Sequence, residues 1–140
     1  LWGVTLWGFL HMAGGGIMVG EGRLYEVILL PVSESYRIFK YDQLVHIIGF
    51  GVATILMYHL LKPSIASPGW VSVTIVVVMA GLGVGAVNEI LEFLATVIMP
   101  ETGVGGYVNT SLDLIADLIG ALIAAIFIWR KESSASTAQA

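Results

Sequence analysis

Residues 70–99 read WVSVTIVVVMAGLGVGAVNEILEFLATVIM, thirty residues in which Glu89 and Glu92 are the only charges. Pro100 follows at once. A run this long and this apolar reads as a membrane-spanning helix, since about 20 such residues cross the hydrocarbon core. As one helix it would measure about 45 Å against a core of about 30 Å, so it must tilt, bend or project. Gly81-Leu82-Gly83-Val84-Gly85 is where it could bend, or where a neighbouring backbone could approach closely.

On the N-terminal side, residues 41–61 form a second apolar run closed by Lys62-Pro63, and residues 64–69 form a short polar turn. On the C-terminal side, residues 100–109 (PETGVGGYVN) form a glycine-rich loop. Thr110 or Ser111 then caps a further apolar helix, with Asp113 three residues after Thr110 in a pattern like a capping box. That helix runs over 111–129, and Trp129-Arg130-Lys131 anchors its end. Residues 1–19 are apolar except for Thr5 and His11, and are just long enough to cross. Residues 20–40 carry Glu21, Arg23, Glu26, Glu34 and Arg37 and are too charged to cross. They read as a connector with a short interfacial helix near 23–30. The Ser/Ala-rich residues 132–140 read as disordered. The prediction is an all-α integral membrane bundle of about four transmembrane helices with a short interfacial helix. Residues 1–131 form the transmembrane four-helix domain and residues 132–140 a disordered polar tail.

The whole 140-residue chain agrees. It is 57% hydrophobic and 11% charged, with a mean hydropathy of +0.91. Soluble domains carry roughly a quarter charged residues. The net charge of -4, without a basic patch, argues against nucleic acid as a partner. The absence of cysteine excludes disulfides, thiolate metal sites and cysteine nucleophiles. The chain opens on Leu1, which leaves room for a signal peptide or a further helix before it. Arg23, Arg37 and Lys40 balance Lys62, Arg130 and Lys131 on the opposite side, so basic residues give no orientation.

Parity organises the polar groups. With four alternating spans, the end of the first, the start of the second, the end of the third and the start of the fourth lie on one side. Asp42, His46, Glu89, Glu92, Asp113 and Asp117 all fall in those stretches, and His11 lies about halfway down the first span. The other half holds only His59. Asp42 and His46 are four apart, Glu89 and Glu92 three, Asp113 and Asp117 four, and Asn88 is four from Glu92. Each pair therefore shares a helix face. A charge at bilayer depth costs at least about 2.5–3.5 kcal/mol, so three such stripes should face one another inside the bundle. Five carboxylates with two histidines cannot all stay ionised and unpaired. Either some hold protons or a cation sits among them. Oxygen-rich ligands with one or two histidines suit Mg, Mn, Fe or Zn. The expected metal ligands are His46, Glu89, Glu92, Asp113 and Asp117, with His11, Asp42, Asn88 and Thr110 in support.

Three blocks carry a resemblance. They are Tyr41-Asp42-Gln43-Leu44-Val45-His46 followed by Gly49-Phe50-Gly51; Asn88-Glu89-Ile90-Leu91-Glu92-Phe93; and Gly106-Tyr107-Val108-Asn109-Thr110 through Asp113 to Asp117 and Gly120. With His11-Met12-Ala13-Gly14-Gly15, they resemble the DUF2238 (inner-membrane YjdF-like) family of small bacterial membrane proteins, and more loosely VanZ-like proteins. Gln43 stands where the family often has a basic residue nearby, and Asn109 where aspartate is common. The resemblance implies a bacterial inner (cytoplasmic) membrane and no assigned reaction.

Three functions stay open. One is a metal-dependent hydrolase or transferase acting on lipid-like substrates, with Glu89 as general base and Gly103 to Gly106 cradling a phosphate. Another is a non-catalytic accessory subunit among other membrane subunits. The third is an ion or metal transporter, with a second copy of the chain completing the path as a homo-oligomer through the glycine faces. Ser72, Thr74 and Ser111 lack a matched histidine, and no dinucleotide, P-loop or haem-attachment motif is present.

Overall fold

The computed structural model describes residues 2–33, 35–65, 69–99 and 106–137. Helix α1 covers Trp2–Gly16. Two small antiparallel hairpins follow: β1 (Met18–Val19) with β2 (Gly22–Arg23), then β3 (Ile28–Ser33) with β4 (Ile38–Lys40). Helices α2 (Tyr41–Leu61), α3 (Trp70–Ile98) and α4 (Tyr107–Thr137) complete the chain. A single 3-10 turn, Leu24–Glu26, separates the hairpins, and another, Lys62–Ser64, follows α2.

The fold is a helical membrane bundle with different boundaries from those expected. Three helices are long and apolar enough to cross, over Tyr41–Ser64, Trp70–Ile98 and Tyr107–Ser134. At 15 residues α1 is shorter, about 22 Å long, and ends in Gly14-Gly15-Gly16. The expected interfacial helix near 23–30 is replaced by the 3-10 turn and β3. Val27, Ile28 and Val32 are β-branched and Pro31 lacks an N–H, which disfavours helix there and suits an edge strand. Thr110 does not cap α4. The helix begins at Tyr107, and the Thr110 N–H already bonds to the Gly106 carbonyl at 3.1 Å. At its other end α4 continues through 132–137, where composition pointed to a disordered tail; 138–140 lie outside the described residues.

Helices α2, α3 and α4 pack against one another, and α1 lies against α2. Small residues set the spacing. A Cβ on Gly120 would run into the Ile47 carbonyl and stand 3.0 Å from the Gly51 nitrogen, so α2 and α4 cross with backbones almost touching. Buried Ala116, Ala121, Ala124 and Ala125 continue that close face of α4. Gly81 and Gly85 turn inward, against Thr54 and Asp117, and so pack within this chain rather than against a second copy. Away from the polar groups, Tyr58, Val73, Val77 and Ile128 form the apolar core, with Ile55, Leu61, Ile65 and Trp70 around it. At that end the Lys62 ammonium pairs with Glu132 at 2.5 Å and lies 5.7 Å from the Tyr58 ring centre, tying α2 to α4.

Candidate functional site: a buried acid and histidine centre

The first turns of α2 place Asp42, Gln43 and His46 toward the bundle. Gln43 and His46 are buried and Asp42 is half-buried. Helix α4 presents Asp113 and Asp117, both 0% exposed, and α3 presents Glu89 at 6% with Glu92 half-buried beside it. Glu89, Asp113 and Asp117 are thus buried inside the bundle, with Asp42 and Glu92 half-buried beside them.

His46 is the hub. Its Nδ1 lies 2.8 Å from Asp117 Oδ1 and 3.9 Å from Glu89 Oε1, while its Nε2 lies 3.9 Å from Asp42 Oδ1. Two sets of side chains could hold a cation, Asp42 with His46 and Asp113, and His46 with Glu89 and Glu92. In each, one ligand atom per residue lies within 4.8 Å of the others.

Hydrogen bonding separates the two sets. Around Asp113 every carboxylate oxygen has a donor: Gln43 Nε2 donates to Oδ1 at 2.8 Å, and Asn109 Nδ2 donates to Oδ2. Asn109 Nδ2 also reaches Asp42 Oδ2 at 3.3 Å, and Asn109 Oδ1 accepts from Lys40 Nζ at 2.6 Å. Lys40, 6% exposed, sits 3.9 Å from Asp42 and 3.7 Å from Glu26, so this half of the centre carries its own cation. The other half does not. Glu89 Oε1, Glu89 Oε2 and Asp117 Oδ2 are buried without a hydrogen-bond partner among the described residues. An unmet buried oxygen costs about 1–3 kcal/mol, more when charged, so these atoms call for a proton, a water or a cation. Asp117 fits beside α3 only because Gly85 lacks a Cβ, which would overlap its carboxylate.

Beside the unmet acids, a groove of about 760 Å³ opens between α3 and α4. Glu89 and Glu92 form its polar wall, and Ile90, Phe93, Tyr107 and Leu114 are among its other lining residues. Asn88 Nδ2 donates to Glu92 Oε1 at 2.8 Å, which makes Asn88 a support for Glu92. Thr110 lines the groove. Of the proposed phosphate cradle, Gly106 also lines the groove, and residues 103–105 lie outside the described residues.

His11 stands apart from the centre. The Tyr25 hydroxyl lies 2.7 Å from His11 Nδ1 and 2.8 Å from the His11 carbonyl. A carbonyl only accepts, so the single phenolic proton goes there and the assigned tautomer has Nδ1–H donating to Tyr25. Burial, with the Asp42 and Glu92 charges beside it, pushes the Tyr25 phenol well above the usual tyrosine range. The unfolded chain then loses that proton first, and folding stability falls as pH climbs past about 10. A spectrophotometric alkaline titration should show a late tyrosine phase, and Tyr25→Phe should diminish it.

Lys40, Gln43, Asn109 and Tyr25 were not read as site residues from sequence. Gln43 is three before His46, on the same helix face, and Lys40 immediately precedes the acidic stripe at the start of α2. The Lys40 N–H donates to Gln43 Oε1 at 2.7 Å, closing the first turn of α2. Lys40→Met would leave Asp42 without its counter-charge and Asn109 Oδ1 without its donor. A loss of about 1–3 kcal/mol in unfolding stability is expected, partly restored by adding Asp42→Asn.

Three apolar helices enclosing a buried acid and histidine centre define an integral membrane protein. The chain belongs to the family described as Predicted membrane protein (DUF2238), whose family model matches residues 1–134. An uncharacterized protein of Thermotoga maritima is 35% identical over 101 residues, which is 69% of this chain and 52% of the relative. The chain thus spans about half the length of the curated relative it matches. No solved structure matches.

Proposed function

We propose that the centre holds one divalent cation and that the protein is a metal-dependent hydrolase or transferase for lipid-like substrates. The observation that carries this is the trio of unmet carboxylate oxygens, on Glu89 and Asp117, next to His46, with Glu89 also lining a groove. His46 Nδ1, Glu89, Glu92 and Asp117 are the ligands. The proton now shared by His46 Nδ1 and Asp117 is the one a cation displaces, since ligation needs neutral imidazole and ionised carboxylate. Asp42 lies 3.9 Å from the other ring nitrogen, where a small closure would let it act as the outer carboxylate of a metal-bound histidine. Asp113, expected as a ligand, is instead a support, because Gln43 and Asn109 take both its oxygens. A bound cation would supply an acidified water, and the second oxygen of Glu89 would accept its proton. Oxygen donors with one imidazole suit Mg, Mn, Fe or Zn. The bacterial relative supports placement in a bacterial cytoplasmic membrane.

Metal analysis of the purified protein tests the site, with about one cation per chain expected, and calorimetry in buffers of different ionisation enthalpy should show a proton released on binding. Turnover of vesicle lipid that stops with chelator tests the activity. A metal-free chain that co-purifies with fixed partners would instead mark an accessory subunit. Bound metal with liposome flux and no turnover would mark a transporter.

A further inference from the structure

The groove between α3 and α4 lies at a depth that selects its occupant. Helix α3 has 29 residues, about 43 Å, against a hydrocarbon core of about 30 Å. Centred on that core, it projects by about four residues at each end. Glu92 and Glu89 then sit about 3 and 8 Å beneath the headgroup boundary. The ester bonds of bilayer lipids, which join head to chain, lie at that boundary, within about one helical turn of Glu92, and the phosphoester bonds lie further out. The groove is also open sideways: Ile90 is 57% and Phe93 65% exposed, on helices that are otherwise surrounded by lipid chains. Glu89, whose two oxygens are buried and unmet, and Glu92 are among its lining residues.

We infer that the groove admits an ester- or phosphoester-linked bilayer lipid sideways from the surrounding leaflet, its chain against Ile90, Phe93 and Leu114 and its head–chain junction against Glu89 and Glu92. This deepens the reading of the centre as a cation site, on which it rests for the chemistry at the junction. The shape of the groove carries lipid entry independently. A water-borne ester would have to arrive past the headgroups, whereas the open flank faces hydrocarbon, so the occupant comes from the bilayer. Tyr107 and Thr110 line the groove on α4, with hydroxyls suited to the polar head.

The full chain in vesicles of phosphatidylethanolamine and phosphatidylglycerol tests this. The vesicles carry a trace of phospholipid bearing a photoreactive diazirine close to the ester end of one chain. Cross-links should concentrate on peptides holding Ile90 to Phe93 and Leu114, several-fold above other lipid-facing positions at the same depth. Leu114→Trp fills the groove and should lower that labelling to the level of those positions. Ile90→Trp, at a site already exposed, does the same if the first variant folds poorly. Val76→Trp, on the lipid-facing surface of α3 in the other half, should change nothing. Labelling spread evenly, or unchanged by both groove variants, overturns the proposal. So does preferential labelling by a soluble short-chain diazirine ester added from water. The cation reading fails separately: concentrated labelling in protein that holds no metal upholds lipid entry and removes the metal chemistry.

Discussion

Glu89→Gln is expected to weaken cation binding by about 100-fold or more, since removing even an outer support of a metal site costs 10–100-fold. Titration calorimetry and metal analysis would read it. The stability of a partner variant, Glu89→Leu, makes the sharper test. In chelator the wild-type chain buries a carboxylate whose two oxygens have no donor. Replacing such a group with a well-packed apolar one is neutral or stabilising by about 1–4 kcal/mol. With cation at about 1,000 times its dissociation constant, the wild type gains about 4.1 kcal/mol and the variant gains nothing. The order of stabilities should therefore reverse between chelator and metal. A carboxylate serving only as a structural hydrogen-bonding group gives no reversal, because no ligand distinguishes the two chains.

The second large effect is expected at Gly120. Its missing Cβ is the space occupied by the Ile47 carbonyl, which is backbone and cannot rotate away. Gly120→Ala should force α2 and α4 apart and cost about 3 kcal/mol or more in unfolding measurements in detergent. Because His46 and Asp117 bridge the same two helices, the cation affinity should fall with it. Gly83→Ala supplies the control. Nothing lies within 4 Å of that Cβ, so the change should be neutral or add up to about 1 kcal/mol of helix propensity. Equal effects at both positions would mean that the crossing at Gly120 is not the constraint.

Periodicity and the cost of intramembrane charge carried most of the fold. The spacing of Asp42 and His46, of Glu89 and Glu92, and of Asp113 and Asp117 assigned each pair to one helix face, and lipid could not be that face's neighbour. The structure brings these faces together around His46. Less was legible where a residue's partner lies far along the chain. Lys40 precedes α2 and looks like an ordinary flanking cation, yet its ammonium reaches Asn109, 69 positions away. Gln43 is likewise committed to Asp113 across 70 positions. Those two contacts turn one half of the acid cluster into a closed network and leave the other half unmet, a division that depends on which helices cross and at what height. Residues 23–33 went astray for a local reason: Arg23 and Leu24 to Leu30 have helix-like composition, but Pro31 and the β-branched residues around it draw the chain into β3. The long axis of α4 was read short because Ser and Ala after Trp129 carry little apolar signal, although they extend an established helix at small cost.

The apolar packing of Tyr58, Val73, Val77 and Ile128 has a bearing on traffic. It closes the bundle behind the acids like the floor of a well, and beyond it the Lys62–Glu132 clasp holds α2 and α4 shut. A cation held at His46 would meet, among the described residues, apolar side chains on that side of the bundle.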